Sequence, residues 1–205
     1  MKIQIKISQN RVNYNKAISF LEKRVQEVIK GKMPELLWIL EHKSIFTAGT
    51  SYKDEEILDK NIKIIKTSRG GKITHHGPGQ KVIYFVLDLR KRGKDIKKFI
   101  RLIENCIISI LKDYKINSFN DKKNIGIWVD KNNKVCKIAS IGVRVKKWVA
   151  YHGFCINVSN NLKVYNKIIP CGIYDKEVTN LTSIKKSNYK KIEKNILKNF
   201  LKTFG

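Results

Sequence analysis

The chain has 205 residues, of which 42% are hydrophobic, so it is long enough to bury the core of one globular domain. It carries 43 Lys and Arg residues against 17 Asp and Glu, a formal charge of +26 that by itself favours a nucleic-acid or other polyanionic partner. The lysines are spread over every segment instead of forming one stripe, so we attribute most of this charge to a solvated surface and predict no nucleic-acid partner.

The first third of the chain alternates strand and helix patterns. Isoleucines at 3, 5 and 7 alternate with polar residues, which predicts a strand and not a signal peptide. Helical spacing of apolar residues follows over 13–32, where Gly31 is placed to end a helix. Three further segments predict a buried strand at 35–42, a loop with a short helical turn at 45–58, and a strand at 62–68.

A glycine-rich segment, RGGKITHHGPGQ at 69–80, separates these elements from KVIYFVLDL, the most β-prone stretch of the chain. One apolar face over 94–114 predicts a long amphipathic helix. Closely spaced strand patterns over 125–158 predict hairpins and an antiparallel region. The last element is a predicted helix capped by Ser187.

These elements predict an α+β fold, in which helices pack on a mixed, largely antiparallel sheet, with residues 1–205 as a single domain. No run approaches the ~20 apolar residues of a membrane span, so no membrane partner is expected. The four cysteines form no CxxC pair or zinc-like cluster, which indicates reduced thiols in a cytoplasmic protein and no metal site.

The glycine-rich segment lacks the spacing of a phosphate-binding or dinucleotide-binding loop, and it leads into a strand instead of a helix. It therefore does not predict a phosphate cradle at the start of a helix. Its glycines would let the backbone approach a ligand closely, while an ordinary hairpin connection is the alternative interpretation.

Two side chains in the second half could be reactive. Lys137 follows Cys136 on a predicted strand, so only one of the two can face a given pocket, and the pattern alone favours a solvent-facing lysine. Cys171 lies between a proline and a glycine, a turn that suits a nucleophile better than a core residue. The residues by themselves leave both possibilities open for each side chain.

The predicted strand at 151–158 should place alternate side chains on opposite faces. Tyr151, Gly153, Cys155 and Asn157 are expected on one face, and His152, Phe154, Ile156 and Val158 on the other. Cys155 by itself is typical of a small core residue.

Five segments together resemble the lipoyl(octanoyl) transferase family, in the family's order and at about its spacing: EHKSIFTAGTS (41–51), RGGKITHHGPGQKVIY (69–84), KIASIGVRV (137–145), YHGFCINV (151–158) and IPCGIYDKEVTNL (169–181). A lone RGG would be weak support, whereas five ordered segments across most of the chain are specific. Two positions depart from the family pattern, because His75 stands where an aromatic residue is usual and Cys155 where Ala is usual. These departures put the preferred acyl-chain length in doubt more than the chemistry.

The resemblance implies roles for individual residues. It makes Cys171 the acyl-accepting nucleophile and Lys137 its activating partner. It also implies that the acyl-thioester substrate is held by three stretches: Arg69, Gly70, Gly71, Lys72, Ile73, Thr74, His75 and His76; Ser140, Ile141 and Gly142; and Gly153, Phe154 and Cys155.

The resemblance further implies the fold of the biotin and lipoate ligase catalytic domain. The implied reaction moves octanoyl from the phosphopantetheine thioester of acyl carrier protein to a lysine of lipoyl domains of 2-oxoacid dehydrogenases or of the glycine-cleavage H protein. Because a thioester becomes an amide, no ATP, metal or other cofactor is expected. The glycine-rich segment would then form one wall of an acyl tunnel.

Three alternatives remain at this point. An ATP-dependent lipoate-protein ligase would share the fold and acceptor but activate the free acid as an adenylate; such ligases have a longer glycine-rich block than RGG. A basic nucleic-acid-binding protein is suggested by charge alone, without a recognisable reading motif. A binding-only member of the family is the third, although none of the five segments is visibly broken.

Overall fold

The structure, a computed structural model, describes residues 2–121, 124–172 and 176–205, with only the backbone of Cys171. Its strands are β1 (Ile3–Ile7), β2 (Glu35–Leu40), β3 (Ile45–Ala48), β4 (Ile64–Lys66), β5 (Ile73–His76), β6 (Gln80–Asp88), β7 (Phe119–Asn120), β8 (Ile127–Lys131), β9 (Lys134–Lys146), β10 (Val149–Asn157) and β11 (Glu177–Val178). Its α-helices are α1 (Tyr14–Ile29), α2 (Ile96–Asp113), α3 (Leu181–Ile184) and α4 (Ile192–Phe204).

The large sheet has the strand order β1-β2-β6-β10-β9-β8-β7, and β11 pairs with β9. The β1–β2 and β9–β11 pairs are parallel, while the other pairs are antiparallel. The predicted α+β fold with a mixed, largely antiparallel sheet is therefore confirmed. Among the described residues no helix is both long and apolar enough to cross a membrane.

Helices cover both faces of the large sheet, so its central strands are buried on both sides. On β6, Val82 and Tyr84 belong to the apolar cluster formed with α1, while Ile83 and Phe85 belong to the cluster formed with α2 and α4. All six side chains of β2 are buried. This double burial explains why these segments are continuous apolar runs instead of alternating patterns.

A small sheet with the order β4-β3-β5 packs beside the large one. It covers a separate apolar cluster that includes Phe46, Ile73, Tyr165 and Ile168. Two of its strands differ from the sequence predictions, because β3 lies in a predicted loop and β5 lies inside the glycine-rich segment. Each has only four residues and is stabilised by pairing with a distant strand, which local patterns do not report.

The predicted capping of the last helix by Ser187 is wrong, because α4 begins at Ile192 and its N-cap is Lys191. The segment before it is held instead by Tyr189, whose hydroxyl donates to the carbonyl oxygens of Lys185 at 2.8 Å and Leu181 at 3.3 Å. Tyr189 is buried, and the helix begins only after it.

A buried ion pair ties the C-terminal helix to the large sheet. Glu35, at the start of β2, accepts hydrogen bonds from both terminal nitrogens of Arg92 and from the Asp88 backbone N–H at 2.6 Å. Arg92 also donates to the carbonyl oxygen of Phe204 at 2.8 Å. The Glu35 side chain is 3% exposed and the Arg92 side chain 10%, so water is largely excluded from both charges.

We predict that Glu35→Ala lowers the free energy of unfolding by about 3 to 5 kcal/mol, because it leaves a buried guanidinium without its partner. The matched control is Glu177→Ala, since Glu177 pairs with Lys134 at 2.7 Å but both side chains are more than 60% exposed; that change should cost less than about 1 kcal/mol. Urea unfolding at neutral pH measures both. Equal losses in the two variants would contradict the assignment.

Candidate active site

A cavity of about 580 Å³ lies between the glycine-rich segment and strands β9 and β10. It is lined by all the predicted acyl-binding residues except Ile73 and His75, and by both Lys137 and Gly172. The structure adds lining residues that the sequence analysis had not assigned to the site: Tyr14, Ser51, Val82, Tyr84, Ile96, Ile100, Asn124, Ile125, Val143, Val145 and His152.

The two exceptions follow from the two-residue period of β5. Thr74 and His76 line the cavity, so Ile73 and His75 point to the opposite face. The His75 ring lies 4.9 Å from that of Phe46, its Nε2 is 2.9 Å from Ser44 Oγ, and burial lowers its pKa to about 4. The unusual residue at position 75 therefore contacts the small sheet's own core and does not line the cavity.

Arg69 fixes the glycine-rich segment. Its Nη2 donates to the carbonyl oxygen of Thr47 at 2.8 Å and to Thr47 Oγ1 at 2.9 Å, and its Nη1 donates to the Gly70 carbonyl. A Cβ at Gly49 would collide with the Gly71 carbonyl oxygen and lie 2.7 Å from Arg69 Nη1. The glycine of the TAGT sequence is thus required for close backbone approach, a role that the sequence did not reveal.

The closed end of the cavity is built from buried aromatic side chains and Cys155. Tyr14, His76, Val82, Tyr84 and Cys155 line it, and each is less than 8% exposed. By contrast Ile96 and Ile125, which also line the cavity, are 46% and 56% exposed and mark its open side.

Histidines at this closed end have fixed tautomers. His42 lies 2.8 Å through Nδ1 from the Val12 carbonyl oxygen, so Nδ1 is the donor and Nε2 accepts from the Tyr84 hydroxyl, also at 2.8 Å. His76 Nδ1 is 2.7 Å from the side-chain oxygen of Gln80 and donates to it. Burial lowers the pKa of both histidines, that of His76 well below the usual value. Both histidines are therefore neutral at neutral pH.

His152 does not follow the predicted alternation. Its φ is +68°, and its ring stacks on that of Tyr151 with centroids 4.7 Å apart, so the two side chains share a face. The adjacent Gly153 has φ +157° and lies against the Ile83 carbonyl oxygen, where a Cβ would collide. Neither His152 ring nitrogen has a hydrogen-bond partner among the described residues, and burial lowers its pKa to about 3.

Lys137 is buried, contrary to what the strand pattern alone favours. It is 4% exposed, its Nζ donates to the Ile125 carbonyl oxygen at 2.9 Å, and it lies 5.1 Å from the Trp128 ring centroid. A Cβ at Gly126 would lie 3.0 Å from this nitrogen. Within the described ranges no carboxylate lies within 4 Å of Lys137 Nζ, so the ammonium faces the cavity without an acidic partner.

The turn that carries Cys171 reaches the same cavity. Pro170–Gly172 forms a 3-10 turn, and Gly172, with φ +64°, lines the wall. After this turn the chain enters β11, where Val178 pairs with Lys137 and the Thr179 N–H donates to the Lys137 carbonyl oxygen at 2.9 Å. The Cys171 side chain, the predicted nucleophile, lies outside the described part of the structure.

The described residues contain no candidate metal centre. In ranges 2–121, 124–172 and 176–205, no group of three or more His, Cys, Asp or Glu side chains is arranged to hold a metal ion.

Three similar relatives of the chain are octanoyltransferases. It is 42% identical to the octanoyltransferase of Wolbachia sp. subsp. Brugia malayi (strain TRS) over 97% of this chain and 98% of that one. It is 39% identical to the octanoyltransferase of Anaplasma phagocytophilum (strain HZ) over 100% of both chains. The octanoyltransferase of Rickettsia bellii (strain OSU 85-389) is 45% identical over 84% of this chain and 85% of the relative.

Two solved structures with the same fold are lipoate-protein ligases. A lipoate-protein ligase A bound with ATP superposes with a TM-score of 0.77 at 16% identity, covering 99% of this chain and 85% of that one. A bipartite lipoate protein ligase from Thermoplasma acidophilum gives 0.74 at 14% identity, covering 99% and 84%. At these identities the likeness concerns the fold alone, and it confirms the predicted resemblance to lipoate ligase domains.

The family match extends over nearly the whole chain. Residues 13–201 match the family described as lipoyl protein ligase A/B catalytic domain. The relatives that are 39% to 45% identical over most of their lengths are octanoyltransferases. Together, the family match and these relatives identify the chain as a member of the lipoyl protein ligase A/B catalytic-domain family.

Proposed function

We propose that the protein transfers an octanoyl group from octanoyl-acyl carrier protein to a lysine of a lipoyl domain through an acyl thioester on Cys171. The observation that carries this mechanism is the Lys137 ammonium, which is buried in the wall of a cavity that the Cys171 turn also borders. The acceptors would be lipoyl domains of 2-oxoacid dehydrogenases and the glycine-cleavage H protein, in the cytoplasm. The reaction uses no ATP, metal or other cofactor.

In the first step the Cys171 thiolate attacks the thioester carbonyl carbon, and the bond from that carbon to the pantetheine sulfur breaks. Because a free thiol with a pKa of ~8.5 is only partly ionised at neutral pH, a nearby ammonium that favours the thiolate increases the reactive fraction. Lys137 then gives a proton to the departing pantetheine sulfur. The products of this step are acyl-Cys171, free pantetheine thiol and a neutral Lys137 amine.

In the second step the acceptor amine attacks the acyl-Cys171 carbonyl carbon. Neutral Lys137 takes a proton from the amine as the carbon–nitrogen bond forms, and the cysteine leaves as a thiolate. The ammonium and the thiolate are thereby restored together. One lysine serves as acid and then as base, so no second titrating side chain is needed.

The cavity suits an uncharged acyl chain. Its open side is apolar through Ile96, Ile100 and Ile125, and the histidines at its closed end are neutral. Cys155, at the closed end, pairs across the strands with Ser140, which lies three residues along β9 from Lys137. At ~3.3 Å per residue, the backbone positions of Lys137 and Ser140 are roughly 10 Å apart along β9, which is close to the length of an extended octanoyl chain.

The second candidate function is that of an ATP-dependent lipoate ligase, since the structures with the same fold include a ligase bound with ATP. The Pro-Cys-Gly turn beside the cavity favours the transferase, because an adenylate route needs no thiol nucleophile. The surplus of basic side chains would attract acidic protein substrates, an effect that salt weakens.

The first test is mass spectrometry of the intact protein after incubation with octanoyl-acyl carrier protein. We expect a gain of ~126 Da on the Cys171 peptide, lost when an unmodified lipoyl domain is added and absent in Cys171→Ser. ATP should have no effect. Modification of the lipoyl domain only with ATP and free octanoate, without an adduct, would instead establish the ligase.

A second prediction concerns Lys137. Lys137→Ala, and Lys137→Met, which retains the aliphatic stem, should each slow acylation of Cys171 by about 100-fold or more, because the ammonium and its proton are lost. Lys146→Ala removes an exposed lysine from the same strand and should leave the rate unchanged. Acylation at the wild-type rate in both Lys137 variants, measured by rapid-quench mass spectrometry, would exclude the proposed role.

A third prediction concerns acyl-chain length. Cys155→Ala should enlarge the closed end of the cavity and raise the decanoyl-to-octanoyl ratio of kcat/KM by up to about tenfold, whereas Cys155→Leu should lower it. Cys106→Ala is the matched control, since Cys106 is equally buried but belongs to α2 and does not line the cavity. Unchanged ratios in both Cys155 variants would show that the chain ends elsewhere.

A further inference from the structure

An ion pair between Lys72 and Glu56 packs against the turn that carries Cys171. Lys72 Nζ donates to Glu56 Oε1 at 2.6 Å, and the side chains are 32% and 1% exposed. A Cβ at Gly172 would collide with Lys72 Nζ and would lie 2.7 Å from Glu56 Oε1. The pair therefore contacts the residue that directly follows the proposed nucleophile.

Backbone hydrogen bonds hold this pair in register with the turn. Lys72 belongs to the glycine-rich segment, where its carbonyl oxygen accepts from the Gly49 N–H at 3.1 Å. Glu56 ends a short 3-10 turn, and its carbonyl oxygen accepts from the Ile169 N–H at 2.8 Å. Since adjacent Cα atoms are ~3.8 Å apart, the two charges lie within a few ångströms of the Cys171 backbone.

The two charges act on a thiolate at this turn in opposite directions. The Lys72 ammonium favours the thiolate, while the Glu56 carboxylate disfavours it. Glu56 Oε2 is buried and accepts no hydrogen bond within the described part of the chain, so its charge is poorly screened. The net effect on the thiol depends on which of the two charges lies closer.

Other charged groups at this end of the cavity are held by different partners. Lys137 donates to the Ile125 carbonyl oxygen, and Lys176 pairs with Asp121 at 2.8 Å. Both ammonium groups lie over the Trp128 ring, at 5.1 and 4.6 Å from its centroid. Neither ammonium group is bonded to Lys72 or Glu56 in the contacts given above. Their electrostatic effect on the Cys171 thiol should therefore stay the same when Lys72 or Glu56 is substituted.

We propose that Lys72 is a second cation that stabilises the Cys171 thiolate, and that Glu56 positions Lys72 and moderates its charge. The proposal rests on the proposed function only in taking Cys171 as the nucleophile. Lys137 then supplies and accepts the proton, while the Lys72 ammonium stays charged throughout and stabilises the Cys171 thiolate electrostatically. A purely structural pair would respond alike to the loss of either partner, whereas this pair responds in opposite directions.

The test is the pH dependence of Cys171 alkylation by iodoacetamide in the full-length protein, followed by peptide mass spectrometry. Lys72→Met should raise the midpoint by about one pH unit. Glu56→Gln retains an oxygen that accepts from Lys72 but removes the negative charge, so it should lower the midpoint. Lys72→Arg retains the charge and should keep the wild-type midpoint. Lys198→Met removes an exposed charge, 73% exposed and paired with Asp113 at 3.6 Å, and should not shift it.

A midpoint that stays fixed in both Lys72→Met and Glu56→Gln, or that moves in the same direction in both, overturns the proposal. If Glu56→Gln does not fold, the comparison of Lys72→Met with Lys72→Arg decides, because equal midpoints in those two variants also overturn it. Alkylation needs no acyl substrate. The experiment therefore remains decisive even if octanoyl-acyl carrier protein leaves no adduct on Cys171.

Discussion

The Arg69 guanidinium joins the small sheet to the edge of the large one, and the cavity depends on that junction. β8 pairs with β9 only as far as Ala139, so the later residues of β9 have an open edge on that side. The Gly70 N–H donates to the Val143 carbonyl oxygen at 3.2 Å across this edge, while Arg69 bonds to Thr47 of the small sheet. The buried Arg69 guanidinium, bonded to Thr47, and the hydrogen bond from Gly70 to Val143 together close this side of the cavity.

Burial leaves the titratable groups in and around the cavity in two states, as charged cations and as neutral histidines. Arg69 and Lys137 are buried cations that donate to carbonyl oxygens, and neither pairs with a carboxylate among the residues that the structure describes. The histidines nearby are neutral at physiological pH, because burial lowers the pKa of His75 to about 4 and that of His152 to about 3. Proton transfer near neutral pH is therefore left to groups other than these histidines, which agrees with a lysine in that role.

The helices and the long strands were predictable because their periods are local, whereas the site depended on contacts that are not. β3 and β5 are too short to give a pattern and form by pairing with each other. The side chain of Lys137 could not be assigned to a face by alternation, since helices bury both faces of the sheet. Tyr14 was missed because its segment has only the pattern of a packed helix, and His42 and Tyr84 were missed because nothing local distinguishes them within the segments that resemble the family.

The same fold serves ligases that differ from this chain at more than 80% of aligned positions, so the chemistry must reside in side chains placed on it. Here the two residues proposed to carry the chemistry lie on different backbone elements. Lys137 lies on β9, which neighbouring strands hold on both sides, while Cys171 lies on a turn. The hydrogen bond from the Thr179 N–H to the Lys137 carbonyl oxygen links these elements, so the segment after the turn is in register with the lysine's own backbone. Main-chain pairing of β9 with β11 thereby anchors, beside Lys137, the segment that follows the turn of the proposed nucleophile.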